Sequence, residues 1–459
     1  MALIGASGDP AKNTARPQRY LRKHGYTGRI VPINPGREEV LGEKAFATLS
    51  DVPGEIDHAF IMIEDVERAI EACGAKRVPV ASIYSNGFAD SGPDGAARQK
   101  KLVAAAQALG VRILGPNSMG VVDIPGRMAL TVNAILEMER LPAGGTSIVS
   151  QSGTMLGTVL SRGAARGLGF AKLVSVGNEA DLGVGELVQL LAADDDTRVV
   201  LLFLETIRDA RALASACRAC HAAGKPVVAY KLGRSALGEA LARSHTGALA
   251  GADAAIDAYF RDCGIMRVDL LETLIEIPPL LTGRKPPNLG RAGRIAVVTT
   301  TGGGAAAAVD RLGMLGVELA SITDLTMAAT QESYGATLKR LLGAPECDAV
   351  LAVVGSSAQF HPQLAVEPIL RAAASHKPLA AFLTPHAEES AALLAARGIA
   401  AFRTPEACAD ALAAFLKWQA PRAAPACAAP DLKGKTEPFE FFAALGVPVA
   451  PWQIARPPH

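Results

Sequence analysis

Excess charge of either sign is missing from this sequence of 459 residues: 46 lysines and arginines face 45 aspartates and glutamates, for a formal net charge of +1. Proteins that hold nucleic acid or an anionic bilayer through phosphates carry a basic surplus, so the balance removes the electrostatic case for either partner. Long apolar runs are missing too. Hydrophobic residues make up 49% of the chain, yet Gly, Pro or Asn breaks each run well short of the roughly 18 residues that a membrane helix needs. The opening residues, MALIGASGDP, read as a strand entering a glycine turn, without a basic segment or a cleavable apolar one. No export signal is expected, and the cytoplasm is the predicted compartment. Cysteines are few and odd in number: Cys73, Cys217, Cys220, Cys263, Cys347, Cys408 and Cys427. Scattered through apolar segments, they predict small buried hydrophobes rather than disulfides. The run CRACH, Cys217 to His221, fits the C-x-x-C-H spacing of haem attachment, but it lies inside the helical pattern DARALASACRACHAAGKP and is read as helix. Histidines number only eight. His24, His58, His221, His376 and His386 fall singly with no ligand spacing, so no metal site is expected from protein ligands. The acidic run ADDDT (193–197) is read as a solvated turn.

What is present is a strict alternation of short apolar runs with helical patterns, the signature of parallel-sheet α/β layers. The length suggests about three domains. In the first block, ALIGAS, RIVPINP, HAFIMI, VASIYSNG and VRILGPNS, all but HAFIMI ending in Gly, Pro or Ser, predict a Rossmann-like sheet over 1–125. A second block over 126–283 carries TSIVSQSG, AKLVSVGNEAD, RVVLLFLET, KPVVAYKLG and IMRV. After the linker LTGRKPPNLGRAG, a third block over 284–418 carries RIAVVTTTGGG, VELA, AVLAVVGSS, PLAAFLTP and IAAFRTP. The second and third blocks are expected to be flavodoxin-like. Residues 419–459 remain as a linker and a further segment.

Four places share one local design, a strand running into small residues that open a helix: LIGASGDP, IVSQSGTM, VTTTGGGAA and VVGSSAQ. The first turns of a helix present unpaired amides and roughly half a positive charge, so such turns bind anions where the loop is small. Four of them at strand carboxyl ends point to phosphate chemistry. One apolar strand, RVVLLFLETIRD, is broken at Glu205, at or just past its end. One loop, RSHTGALAG (243–251), sets His245 among residues small enough to let a ligand reach the ring. A carboxylate bonded to one imidazole nitrogen fixes the tautomer and raises the nucleophilicity of the other.

In this order and spacing, GPNSMG (115–120), SQSGTM (150–155), VSVGNEADL (174–182), FLET (203–206), KPVVAYKLGRS (225–235) and SHTGALAG (244–251) resemble the NDP-forming acyl-CoA synthetases of the succinyl-CoA ligase superfamily. The resemblance covers about residues 1 to 418. It implies that His245 is phosphorylated during the cycle and that Glu205 orients it. It implies that helices opening at Ser152, Gly153 and Thr154 and at Gly355, Ser356 and Ser357 aim their amino ends at the phosphohistidine. It further implies that the first block binds coenzyme A through Ser7, Gly8, Asp9 and Pro10, with Arg37 where the ligases place a lysine. Tyr84, Ser85 and Asn86 fall on another CoA-contacting strand end, and Lys12 is an additional phosphate contact. The third block resembles the carboxyl-terminal domain of the ligase β-chain.

The activity so implied is acid, CoA and nucleoside triphosphate going to acyl-CoA, nucleoside diphosphate and phosphate, or the reverse. Two departures matter. Succinyl-CoA ligases carry a tyrosine where this sequence has Gly157, which suggests room for a larger acid. After APDLKGK, the segment TEPFEFFAALGVPVAPWQIARPPH resembles only the opening of an ATP-grasp domain. The nucleotide and Mg²⁺ are therefore expected at a site outside this chain, on an ATP-grasp domain or β-type subunit, in an oligomer. Two rivals are weighed. A non-catalytic CoA-binding regulatory module of an acetyltransferase-like protein is disfavoured by the presence of both His245 and Glu205. A nicotinamide-dependent dehydrogenase is disfavoured because the first turn lacks the third glycine and strand 2 ends in INPG, without an acid.

Overall fold

The computed structural model describes residues 1–235, 237, 238, 253–326, 329–423 and 443. Met1–Pro421 form one compact unit, and Arg422–His459 form a second. All of the segment expected to open an ATP-grasp domain except Ala443 lies outside the described residues, as does Cys427.

Each apolar run predicted as a strand is a strand. The first sheet contains β1 (Ala2–Ile4), β2 (Val31–Ile33), β5 (His58–Ile61), β6 (Val80–Ile83) and β7 (Arg112–Leu114), all parallel, in the order β2-β1-β5-β6-β7. A two-stranded ribbon, β3 (Glu39–Val40) with β4 (Glu43–Lys44), leads to an isolated parallel bridge between Ile33 and Phe46 outside β2. That bridge is the rudiment of the outer strand of a Rossmann half.

The second sheet combines β8 (Gly120–Asp123), β9 (Met128–Thr131), β10 (Ala143–Ser150), β11 (Phe170–Ser175), β12 (Val199–Leu204), β13 (Val227–Lys231) and β14 (Ile265–Val268) in the order β14-β13-β12-β10-β11-β8-β9. Its last five strands have the flavodoxin order, and the hairpin β8–β9 is added antiparallel on β11. Residues 120–123 therefore belong to the second sheet, although the first block was expected to run to 125. The chain reverses at Gly115–Gly120, where both terminal glycines have positive φ, and a side chain on Gly120 would collide with the Leu130 carbonyl. The third sheet, β15 (Arg294–Thr299), β16 (Glu318–Asp324), β17 (Ala349–Val354), β18 (Leu379–Leu383) and β19 (Ala400–Phe402), runs β16-β15-β17-β18-β19, again the flavodoxin order.

Strands buried on both faces need continuous apolar runs. β12 (VVLLFL) and β17 (AVLAVV) are buried at every position. Some of the helices packed on these sheets start on side-chain caps: Ser152 accepts from the Met155 amide, Asp209 from Ala212 and Thr404 from Ala407. One apolar cluster spans the second and third sheets, joining Ile148, Phe170, Leu201 and Met266 to Val297, Leu351, Phe382 and the helix Pro405–Lys417. The first sheet keeps its own cluster on one face and packs Leu3 and Phe60 of the other against Leu130 and Val132 at the hairpin. The six described cysteines are free and buried, and CRACH lies in the helix Ala210–Ala222 as read. No helix among the described residues is long and apolar enough to cross a membrane.

Candidate active site

Parallel strands bring their carboxyl ends to one edge of a sheet, and the expected site residues sit on such edges. At the end of β10, Ser150 Oγ donates to the Ser152 carbonyl (2.7 Å) and accepts from the Ser152 amide (3.1 Å). The bonds close a tight turn that opens the helix Gly153–Ala164. Gly153 is required there, since a Cβ would run into Met119. Thr154 is exposed in the first turn, where helix amides lack intrahelical acceptors.

Glu205 immediately follows β12, the strand hydrogen-bonded to β10, and is 7% exposed. Gln151 joins the two strand ends. Its Oε1 accepts from the amides of Glu205 (2.6 Å) and Thr206 (2.9 Å), while its Nε2 donates to the Thr206 carbonyl (3.1 Å) and to Glu179 Oε2 (2.7 Å). Glu179 Oε1 accepts from the Val184 amide at 2.7 Å. Burial raises the Glu179 carboxyl above its ordinary value against the pull of these donors and of Arg208, whose Nε lies 3.9 Å away. Asn117, Gln151, Asn178, Glu205, Thr206 and Arg208 line a cleft at this edge. His245 and the small residues around it lie outside the described residues.

The third sheet repeats the turn. Thr299 Oγ1 donates to the Thr301 carbonyl (2.9 Å) and accepts from the Thr301 amide (2.9 Å), opening the helix Gly302–Met314. Thr300 Oγ1 accepts from the Gly355 amide at 3.3 Å, as Gln151 does from Glu205. Directly after Gly355 comes a single helical turn, Ser357–Phe360, with Ser356 exposed before it and the helix Pro362–Arg371 after it. The second amide array is thus short at Gly355, Ser356 and Ser357, and the long helix beside it starts at Gly302.

In the first sheet, the turn after β1 uses its own side chains. Ser7 Oγ accepts from the Asp9 amide (3.1 Å), and Asp9 Oδ1 accepts from the Ala11 amide (3.0 Å). The structure brings Arg37 to this turn: a Cβ on Gly8 would sit 3.3 Å from its guanidinium. Pro10 and Lys12 are exposed beside it. Ser85 Oγ donates to the Ile63 carbonyl at 2.6 Å, so that hydroxyl is spent on joining two strand ends, while Asn86 is exposed and Tyr84 half-buried.

At Gly157 a Cβ would lie 2.5 Å from Asn133 Nδ2. The Asn133 carboxamide donates to the Gly153 carbonyl (2.9 Å) and accepts from the Ile135 amide (3.1 Å). That carboxamide therefore occupies the space beside the Gly157 backbone. Sequence reasoning missed the work of VSVGNEADL. Gly177 must be glycine, with φ +57° and the Pro116 and Asn117 carbonyls pressed against it. Asn178 reaches across to Asp90 (2.7 Å) and Gln99 (3.1 Å) of the first domain, and Asp181 holds Arg112 (2.9 Å) and the Ile113 amide (2.7 Å). The polar residues packed between glycine and helix were the available signal.

Residues 1–123 match the CoA binding domain family, and residues 143–281 match the succinyl-CoA ligase like flavodoxin domain family. The chain is 30% identical to the alpha subunit of acetate–CoA ligase [ADP-forming] II of Pyrococcus furiosus, over 91% of this chain and 95% of that one. It is 34% identical to a trans-feruloyl-CoA synthase of an unknown prokaryotic organism, over 64% of this chain and 43% of the relative. In structure it is similar to the dinucleotide forming acetyl-coenzyme A synthetase 1 of Ca. Korarchaeum cryptofilum, solved with phosphate and ADP. The TM-score is 0.79 at 27% identity, covering 91% of this chain and 94% of that one. The fold and these relatives together define an enzyme of the acid–thiol ligase class that uses CoA and forms a nucleoside diphosphate. The chain belongs to the family of ADP-forming acid–CoA ligases.

Proposed function

We propose that this chain makes acyl-CoA through a phosphohistidine at His245 and an acyl-phosphate intermediate. The observation that carries the reading is the join at the second sheet edge, where Gln151 ties the buried Glu205 to the turn opening the helix Gly153–Ala164. Glu205 orients the imidazole, and the amides at Ser152, Gly153 and Thr154 hold the phosphoryl oxygens; Gly355, Ser356 and Ser357 add donors from the third sheet. The carboxylate oxygen of the acid attacks phosphorus and the P–N bond to His245 breaks. The CoA thiolate then attacks the acyl carbon and inorganic phosphate leaves. CoA lies at the carboxyl edge of the first sheet, against Ser7, Gly8, Asp9 and Pro10, with Lys12 and Arg37 on its phosphates and Tyr84, Ser85 and Asn86 beside it.

In this reading residues 1–125 hold CoA, 126–283 carry the phosphohistidine loop, 284–418 supply the facing wall, and 419–459 lead toward the nucleotide-binding part. A β-type subunit with an ATP-grasp domain binds the nucleotide with Mg²⁺ and recharges His245, in an oligomer that works in the cytoplasm. The name of the Pyrococcus furiosus relative, a subunit alpha, supports a partner chain.

The test is to incubate the chain with acetyl-CoA and labelled phosphate. Wild type is expected to take up acid-labile, base-stable label, and His245→Ala none. An unlabelled wild type, or label persisting in His245→Ala, ends the phosphohistidine reading.

A further inference from the structure

Glu205 is buried at a strand end, and its backbone amide is held by the Gln151 carboxamide. All hydrogen-bonding capacity of the Gln151 carboxamide is engaged: two backbone amides on its oxygen, one carboxylate and one carbonyl on its nitrogen. A flipped carboxamide would face two N–H groups with N–H, and a carboxylate and a carbonyl with oxygen. Three backbone groups and Glu179 together oppose that flip, and Glu179 is the one side chain among the four, an ionised carboxylate that only accepts. Glu179 is itself fixed at both oxygens, by Gln151 and by the Val184 amide that opens the helix Val184–Ala193. It holds this place at φ +54°, a left-handed backbone where glycine is the unstrained choice.

The third sheet provides a comparison within the same chain. There the corresponding turn residue, Thr300, makes one bond of 3.3 Å to the Gly355 amide. The turn therefore closes without a carboxamide–carboxylate pair, and the pair appears where the following residue is Glu205 rather than Gly355. Gln151 also lies between Ser150 and Ser152, whose bonds form the helix-opening turn. One carboxamide thus holds both the carboxylate and the amide array in register.

We propose that Glu179 is a positioning residue for this enzyme: it locks the Gln151 carboxamide in one orientation, and through it the aim of Glu205 and its register with the amino end of the helix Gly153–Ala164. The proposal rests on the phosphohistidine reading for its kinetic consequence, but not for the lock itself.

Two measurements on the full chain separate them. In the first, Glu179→Gln is compared with wild type for the rate of His245 labelling from acetyl-CoA and phosphate. That rate is expected to fall about ten- to hundredfold, as for a misplaced catalytic group. CoA affinity should stay within about twofold, because the CoA edge belongs to the first sheet. A labelling rate unchanged in Glu179→Gln, or CoA affinity lost in step with it, overturns the proposal. In the second, hydrogen exchange at the Glu205 and Thr206 amides is expected to speed up in Glu179→Gln while the β12 amides stay protected. Unchanged exchange at these two amides refutes the lock even if wild type takes no label, an outcome that by itself counts against the phosphohistidine only.

Discussion

Gly157 lies on the buried face of its helix, where a single methyl group decides between two opposed effects. Replacing glycine by alanine inside a helix gains about 1 kcal/mol of propensity, but overpacking a filled site costs about 1–3 kcal/mol. The Asn133 carboxamide is held by two hydrogen bonds and cannot yield cheaply. Gly157→Ala is therefore expected to lower stability to urea by about 1 kcal/mol, and Gly157→Ala with Asn133→Ala to recover most of that. A stabilised single variant would show that the carboxamide moves aside. Asp410 is a second residue whose surroundings set its behaviour. Its Oδ2 accepts from the amides of Asp269 (2.9 Å) and Leu270 (3.1 Å), and burial pushes its carboxyl up from 3.8 to about 6, helped by the nearby Asp269 charge. A carboxyl whose folded pKa is raised binds its proton more tightly in the folded chain, so its contribution to stability falls as pH rises from about 4 to about 6, and is flat above. Asp410→Asn keeps an oxygen for both amides and removes the charge. Its stability relative to wild type should rise across that interval, by at most about 3 kcal/mol, and unfolding midpoints at pH 4, 5, 6 and 7 would show it. A difference independent of pH would mean that the carboxyl does not change its charge there.

At the scale of elements, charge joins what the sheets leave separate. Glu276, 5% exposed, ends the helix Leu271–Glu276 and receives Arg166 Nε (2.8 Å) and Arg403 Nη1 (3.1 Å). Arg166 comes from the loop after the helix Gly153–Ala164, and Arg403 follows β19, so one carboxylate ties the second domain to the third. Removing it leaves two partly buried guanidinium groups each short of a partner. Glu276→Ala is expected to cost about 3 kcal/mol, read from denaturant unfolding, and a loss under about 1 kcal/mol would place the coupling elsewhere, in the Arg403–Glu388 pair or the apolar contacts. Such joins were not legible in the sequence, because the partners stand 110 and 127 residues apart. The strands were legible, since fully buried parallel strands need unbroken apolar runs and turn residues end them. Glu205 was legible for the same reason, as the acid that interrupts such a run. The hairpin β8–β9 was not, because GVVD and MALT are too short to carry a period. Nor was Glu179, whose importance lies in a left-handed backbone and a contact to Gln151 that no local pattern records.

Across the whole molecule, the linker between residues 283 and 294 divides the chain in sequence but not in its core. Leu274, Ile277, Leu280 and Leu281 precede the linker and are at most 1% exposed. They belong to the same apolar cluster as Ile295, Phe382, Phe402 and the helix Pro405–Lys417 that follow it. Each such side chain contributes roughly 1.5–3 kcal/mol when fully buried, and a domain's net stability is only about 5–15 kcal/mol. A chain cut after Gly283 would expose all four together with the face of the second sheet behind them. Residues 1–283 alone are therefore expected to be poorly soluble or to bind a hydrophobic dye, with the unfolding transition lost or shifted down by more than about 10 °C. The first sheet, which keeps its own core on one face, should retain more of its structure than the second in that fragment, as amide exchange resolved by segment would show. A soluble 1–283 fragment with the full-length midpoint would mean that the two flavodoxin-like layers fold independently. The Glu276 network would then be the principal tie between them, and Glu276→Ala would loosen the domains without unfolding either one.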